Sequence, residues 1–79
     1  MTRQEFLLAQ IKKYRHDGHY MSLPRKRETV RNHGDMEVVI SYGRHGQTLI
    51  RVSIAGMKIF EASIAEIERA IEKGFTITE

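Results

Sequence analysis

The stretch Met36–Gly74, MEVVISYGRHGQTLIRVSIAGMKIFEASIAEIERAIEKG, decides the fold. Met36, Val38, Ile40 and Tyr42 alternate with Glu37, Val39 and Ser41, the period-two pattern of a strand that buries one face. Gly43-Arg44-His45-Gly46 then marks a loop, where two glycines supply the positive φ that a tight reversal needs. A second strand runs from Gln47 to Ala55, with Ile50, Val52 and Ile54 continuing the buried face. A third runs from Met57 to Ala62, and simple alternation turns Met57 and Ile59 to that same side. Ala55-Gly56 joins them, with the register open by one residue because Ala-Gly also suits a turn with a glycine bulge. Ser63-Ile64-Ala65-Glu66 is a capping box that opens a helix over 64–73, with Ile64, Ile67 and Ile71 as its apolar stripe and Gly74 as its stop.

Working outward, Thr2-Arg3-Gln4-Glu5 is a second capping box and predicts a helix from about Arg3 to His16. Leu7, Ile11 and Tyr14 fall on one face with Leu8 beside them, and Glu5, Lys12 and Lys13 project the other way. Gly18 is the expected C-terminal stop, and Phe6 points off the stripe, to the edge of the core or to solvent. The segment from His19 to Asp35 has two readings. Pro24 can begin a short helix through Asn32, or Glu28–Arg31 can pair with Met36–Val39 across Asn32-His33-Gly34-Asp35 as a hairpin, which the turn residues favour. The tail Phe75–Thr78 alternates again and suits a short edge strand.

These elements predict one α+β domain over residues 1–79: a three- or four-stranded antiparallel sheet with an N-terminal and a C-terminal helix, in the order α-β-β-β-α. Seventy-nine residues hold one hydrophobic core, and such a chain buries only about 60% of its unfolded surface, which leaves both a monomer and a homodimer open. The composition, 41% hydrophobic and 29% charged, is that of a folded globular protein. With no cysteine the chain has neither disulfides nor thiolate zinc ligands. The apolar run Phe6–Ala9 is far shorter than a signal core or a membrane span, so the sequence reads as cytoplasmic.

The net charge of +3 hides a division along the chain. Between Lys12 and His33 lie seven basic residues (Lys12, Lys13, Arg15, Arg25, Lys26, Arg27, Arg31) against two acidic ones (Asp17, Glu28). From Asp35 onward there are five basic and seven acidic. A concentrated basic zone suits an anionic partner, either a phosphate backbone or an acidic protein face.

The residue types argue against catalysis. No thiol is present, Ser63 serves as a helix cap, and Glu68 and Glu72 are spaced as a solvated helical pair. His16, Asp17 and His19, with His33 and Asp35, are the metal candidates; they lack the paired spacings of zinc modules, so no cofactor is expected. The candidate contacts are therefore Arg25, Lys26, Arg27 and Arg31, supported by Lys12, Lys13 and Arg15 on the first helix. The sheet offers a second surface. If both helices cover the Met36–Ile40–Val52–Ile59 face, the other face exposes Val39, Ser41, Arg51, Ser53, Lys58 and Phe60; if one helix packs on each side, Val39, Leu49 and Phe60 are buried.

The order helix, three antiparallel strands, helix is similar to that of double-stranded-RNA-binding domains, and the three strands with the following helix are similar to the sheet-in-groove domains of plant transcription factors and phage integrases. Where the first family carries lysines at the start of its last helix this chain has Ser63-Ile64-Ala65-Glu66, and it has no Trp for the strand contacts of the second. The sequence thus predicts a non-enzymatic binding protein that contacts DNA or RNA without strong sequence readout. The competing expectation is a protein–protein interaction module or inhibitor, such as a phage or mobile-element protein, with Phe6 and Tyr14 as aromatic anchors.

Overall fold

The computed structural model describes residues 1–15, 28–42 and 47–77. Helix α1 (Arg3–Tyr14) is followed by strands β1 (Thr29–His33), β2 (Met36–Tyr42), β3 (Thr48–Ile54) and β4 (Met57–Ser63), and by helix α2 (Ile64–Glu72). The strands form one antiparallel sheet in the order β1-β2-β3-β4, so every strand lies beside its neighbour in sequence. The α+β architecture follows, with four strands between the helices. No helix among the described residues is long and apolar enough to cross a membrane.

Both helices start as their sequences require. The Thr2 hydroxyl accepts from Glu5 N–H at 3.0 Å while the Glu5 carboxylate accepts from Thr2 N–H at 2.8 Å. Ser63 and Glu66 repeat the arrangement at 3.2 and 3.0 Å. Two backbone donors that a helix start leaves without partners are thereby satisfied at each end. At the end of α2, Gly74 takes φ 105°, its N–H donates to Ile71 at 3.0 Å, and Phe75 N–H donates to Ala70 at 2.9 Å. That pair of bonds is the Schellman closure, which requires a left-handed residue where Gly74 stands. Helix α1 ends at Tyr14 with Arg15 as its cap; the stop expected at Gly18 lies outside the described residues.

Two turns close the sheet at one end. Gly34-Asp35 joins β1 to β2 with Gly34 at φ 61°, and Ala55-Gly56 joins β3 to β4 with φ 53° and 81°. The second pair, both left-handed, is the mirror-image turn whose twist matches the strands. Ala55 N–H donates to the Asp35 carbonyl at 2.9 Å and ties the two turns together.

The pairing Met36↔Ile54, Val38↔Val52 and Ile40↔Ile50 puts six side chains on one face. Leu7, Ile11 and Tyr14 of α1 and Ile64 and Ile67 of α2 join them in a single cluster. Both helices therefore cover the same face, which decides between the two layouts open from sequence. Leu7, Met36, Val38, Ile40, Ile50 and Val52 are fully enclosed, each contributing about 1.5–3 kcal/mol of burial.

Several expectations change. Residues 29–33 form a strand, which rules out a helix carried through Asn32, and its register is Thr29↔Ile40 to His33↔Met36 rather than Arg31 against Met36. The shift follows from the turn, which needs only two residues. In β4 the register slips between Val52 and Ser53: Ser53 pairs with Lys58 and Val52 with Phe60. The extra residue, Ile59, is a bulge, 46% exposed, and Phe60 instead of Ile59 turns toward the helices, where it meets Phe75 edge to face at 5.5 Å. Met57 stays 70% exposed at the turn. Leu8, read beside the α1 stripe, is 42% exposed. The tail over 75–77 adds no strand; Ile77 drops into the core and its N–H donates to Gln4 Oε1 at 2.9 Å.

Candidate functional site

Helix α1 lies along β1, and the seam between them carries most of the chemistry outside the core. The strand turns Thr29, Arg31 and His33 toward the helix, opposite the apolar Ile40, Val38 and Met36. None of the three is apolar, so α1 meets them with rings. Phe6 stacks on His33 with centroids 5.0 Å apart and planes 16° from parallel, and His33 Nε2–H donates to the Met1 carbonyl at 2.7 Å. Two helical turns further on, Tyr14 Oη accepts from Arg31 Nη2–H at 3.2 Å and from Nε–H at 3.3 Å. Lys13 Nζ stands 5.6 Å from the centroid of the same ring. An ammonium over the ring and a guanidinium on its oxygen are both favourable, the first through the ring quadrupole and the second as a charge-assisted bond.

This arrangement sorts the basic residues singled out from sequence. Lys13 and Arg31 converge on Tyr14, and among the described residues no carboxylate pairs with Lys12, Lys13 or Arg31. Arg15 is different: its Nη1 reaches Glu68 Oε2 at 3.0 Å, across to α2. Arg51 and Lys58 lie on the sheet face that the helices leave open, and Glu61 stands between them at 4.0 and 3.8 Å. They form a separate group in which two cations share one carboxylate. Arg25, Lys26 and Arg27 lie outside the described residues. Outside the basic zone, Arg3 Nη2 reaches Asp35 at 2.8 and 3.1 Å, which secures the start of α1 to the β1–β2 turn.

The open face differs from its sequence reading at two positions, Phe60 and Val39. It carries Val39, Ser41, Arg51, Ser53 and Lys58, but Phe60 has gone to the other side with the bulge. No aromatic ring from β4 is available there to stack a base. Val39, between Val30 and Arg51, is only 3% exposed although neither helix covers it.

The metal candidates separate as well. His33 and Asp35 share a turn but serve Phe6 with Met1 and Arg3 respectively, and no group of three or more His, Asp or Glu close enough for an ion exists among the described residues. His16, Asp17 and His19 lie outside those residues. Ser63 is the cap of α2, and Glu68 is the partner of Arg15. Glu5 and Glu66 are held below the ordinary carboxylate range, first by the backbone N–H bonds of Thr2 and Ser63 and then by those residues' side chains. That is a helix-capping property rather than an acid–base one.

Tyr14 and His33 are the site residues that sequence reasoning missed in this role. Tyr14 sits on the apolar stripe and reads as core, which it also is; the available signal was its phenol at the last turn of a helix carrying two lysines. Comparison with known proteins adds no assignment: no protein family, curated protein or solved structure matches this chain.

Proposed function

We propose that this domain is a non-enzymatic binding protein that contacts nucleic acid through the surface where the end of α1 meets β1. The observation that carries the reading is the convergence of Lys13 and Arg31 on Tyr14, with no carboxylate among the described residues paired to either. Tyr14 holds both cations in place, so their entropy cost on meeting phosphates is reduced in advance. Arg25, Lys26 and Arg27 precede β1 in sequence and belong to the same basic stretch of the chain as Arg31. Interactions of this kind neutralise phosphates and release counterions; they position a duplex or a single strand without reading its sequence.

The test is fluorescence anisotropy with labelled DNA and RNA, duplex and single-stranded, over a range of salt concentrations. Binding should weaken steeply with salt and vary little with sequence. The double change Lys13→Ala with Arg31→Ala should lower affinity on every probe and reduce the salt slope by about one unit for each phosphate that is no longer neutralised. Arg25→Ala, Lys26→Ala and Arg27→Ala together should do the same. Arg51→Ala with Lys58→Ala, on the other sheet face and beside Glu61, should cost less affinity than the change at the Tyr14 surface. Absence of binding at low salt, or equal losses from the two pairs, would overturn the reading.

A further inference from the structure

Helices α1 and α2 lie side by side on the sheet and run in opposite directions. Arg15, just past the end of α1, meets Glu68 in the middle of α2, while Ile77, past the end of α2, meets Gln4 near the start of α1. Between them runs an open groove of about 320 Å³. Its floor is Ile11 and Ile71, and Leu8 stands on its rim. The two walls differ in charge: Lys12 and Arg15 come from α1, Glu68 and Glu72 from α2.

We propose that this groove is a self-association face, occupied by the same groove of a second copy. A two-fold axis running along the groove lays each α1 on the α2 of the other copy. Because the helices within one copy are antiparallel, the helices stacked between copies are antiparallel too, and positions at the same height meet. Lys12 then faces Glu72 of the second copy, and the Arg15–Glu68 pairs of the two copies come to the same height. Leu8 and Ile71, exposed and half-buried in one chain, are removed from water together.

Charge selects this occupant. Arg15 and Glu68 already bond each other at 3.0 Å across the groove, and among the described residues no ion pair involves Lys12 or Glu72; a partner must present a carboxylate to the first and a cation to the second, and a second copy does so by symmetry, as an isologous interface requires. A polyanion would meet Glu68 and Glu72, so this face is separate from the Tyr14 surface. The size of the chain agrees, since a domain of 79 residues gains proportionately from apolar area buried against another copy.

The experiment uses two reciprocal variants, Lys12→Glu and Glu72→Lys, both at exposed helical positions, with circular dichroism to confirm that each is folded. Sedimentation velocity should show the unmodified chain dimerising. Each variant alone places like charges face to face twice per dimer and should weaken association at least about tenfold. Mixed in equal amounts, the two restore opposite charges at both positions, and native mass spectrometry should show the mixed dimer in preference to either homodimer. Leu8→Ala should weaken the dimer without changing charge. A monomeric unmodified chain at high micromolar concentration, or a mixture no better associated than its components, would overturn the proposal.

Discussion

The bulge in β4 makes a prediction that straightforward strand alternation reverses. Alternation puts Ile59 in the core; the observed register puts Phe60 there and leaves Ile59 46% exposed. Truncating a fully buried Phe to Ala costs about 3–5 kcal/mol. Phe60 is half-buried, so roughly half of that applies, and the edge-to-face packing with Phe75 adds about 0.5–1.5 kcal/mol. Phe60→Ala should therefore cost about 2–4 kcal/mol, against about 1 kcal/mol or less for Ile59→Ala. Loss of strand propensity is common to both changes and largely cancels in the comparison. A chain of 79 residues has a total stability of about 4–12 kcal/mol, so the first change takes a substantial fraction of it. Urea titration followed by circular dichroism reads the difference: with a slope near 1 kcal/mol per molar, the midpoint should fall by roughly 2–4 M for Phe60→Ala and by under about 1 M for Ile59→Ala. Equal shifts, or a larger one for Ile59→Ala, would refute the register and return Ile59 to the interior.

Two further outcomes follow from local geometry. Glu5 and Glu66 have carboxyl pKa values lowered on folding by the backbone donors of their helix caps. Their contribution is thus present above the unfolded value, roughly pH 4.3, and is lost as pH falls from there through the lower folded values. Glu5→Gln with Glu66→Gln keeps an acceptor at each cap and removes the titration, so urea midpoints measured from neutral to acid pH should decline less in the double variant; superimposable acid limbs would count against the capping assignment. Ala55 sits at φ 53°, a left-handed position that costs an L-residue with a Cβ about 1–2 kcal/mol. Ala55→Asn supplies the side chain best suited to the first place of this turn and should raise the melting temperature, and a fall would show that the turn is of another type.

The parts of the fold that were legible are those whose burial pattern is written in a single period. Strands β2 and β3 show their inward residues by alternation, and α1 and α2 announce their starts with capping boxes and α2 its end with Gly74. Strand β1 was faint for a physical reason: its inward residues are Thr29, Arg31 and His33, and the apolar material that normally marks a buried face comes from Phe6 and Tyr14 on the other element. The face of Phe60 was hidden because one inserted residue inverts every side chain beyond it. Ile77 was read as part of a strand because a four-residue alternating tail carries no sign that its single isoleucine is taken by the core. At the site, the basic character was visible in composition, but its division was not: nothing in the spacing of Arg15, Arg51 and Lys58 shows that Glu68 and Glu61 stand beside them.

The succession of strands, each beside its sequence neighbour, bears on how this chain reaches its final form. Two-residue turns at Gly34-Asp35 and Ala55-Gly56 let β1–β2 and β3–β4 close as hairpins, an event of about 1–10 μs. The contacts that join the ends are the long ones, Arg3 with Asp35 across 32 positions and Gln4 with Ile77 across 73. Closing so long a span costs entropy before any burial rewards it, which predicts that the hairpins form first and that α1 and the tail are seated last.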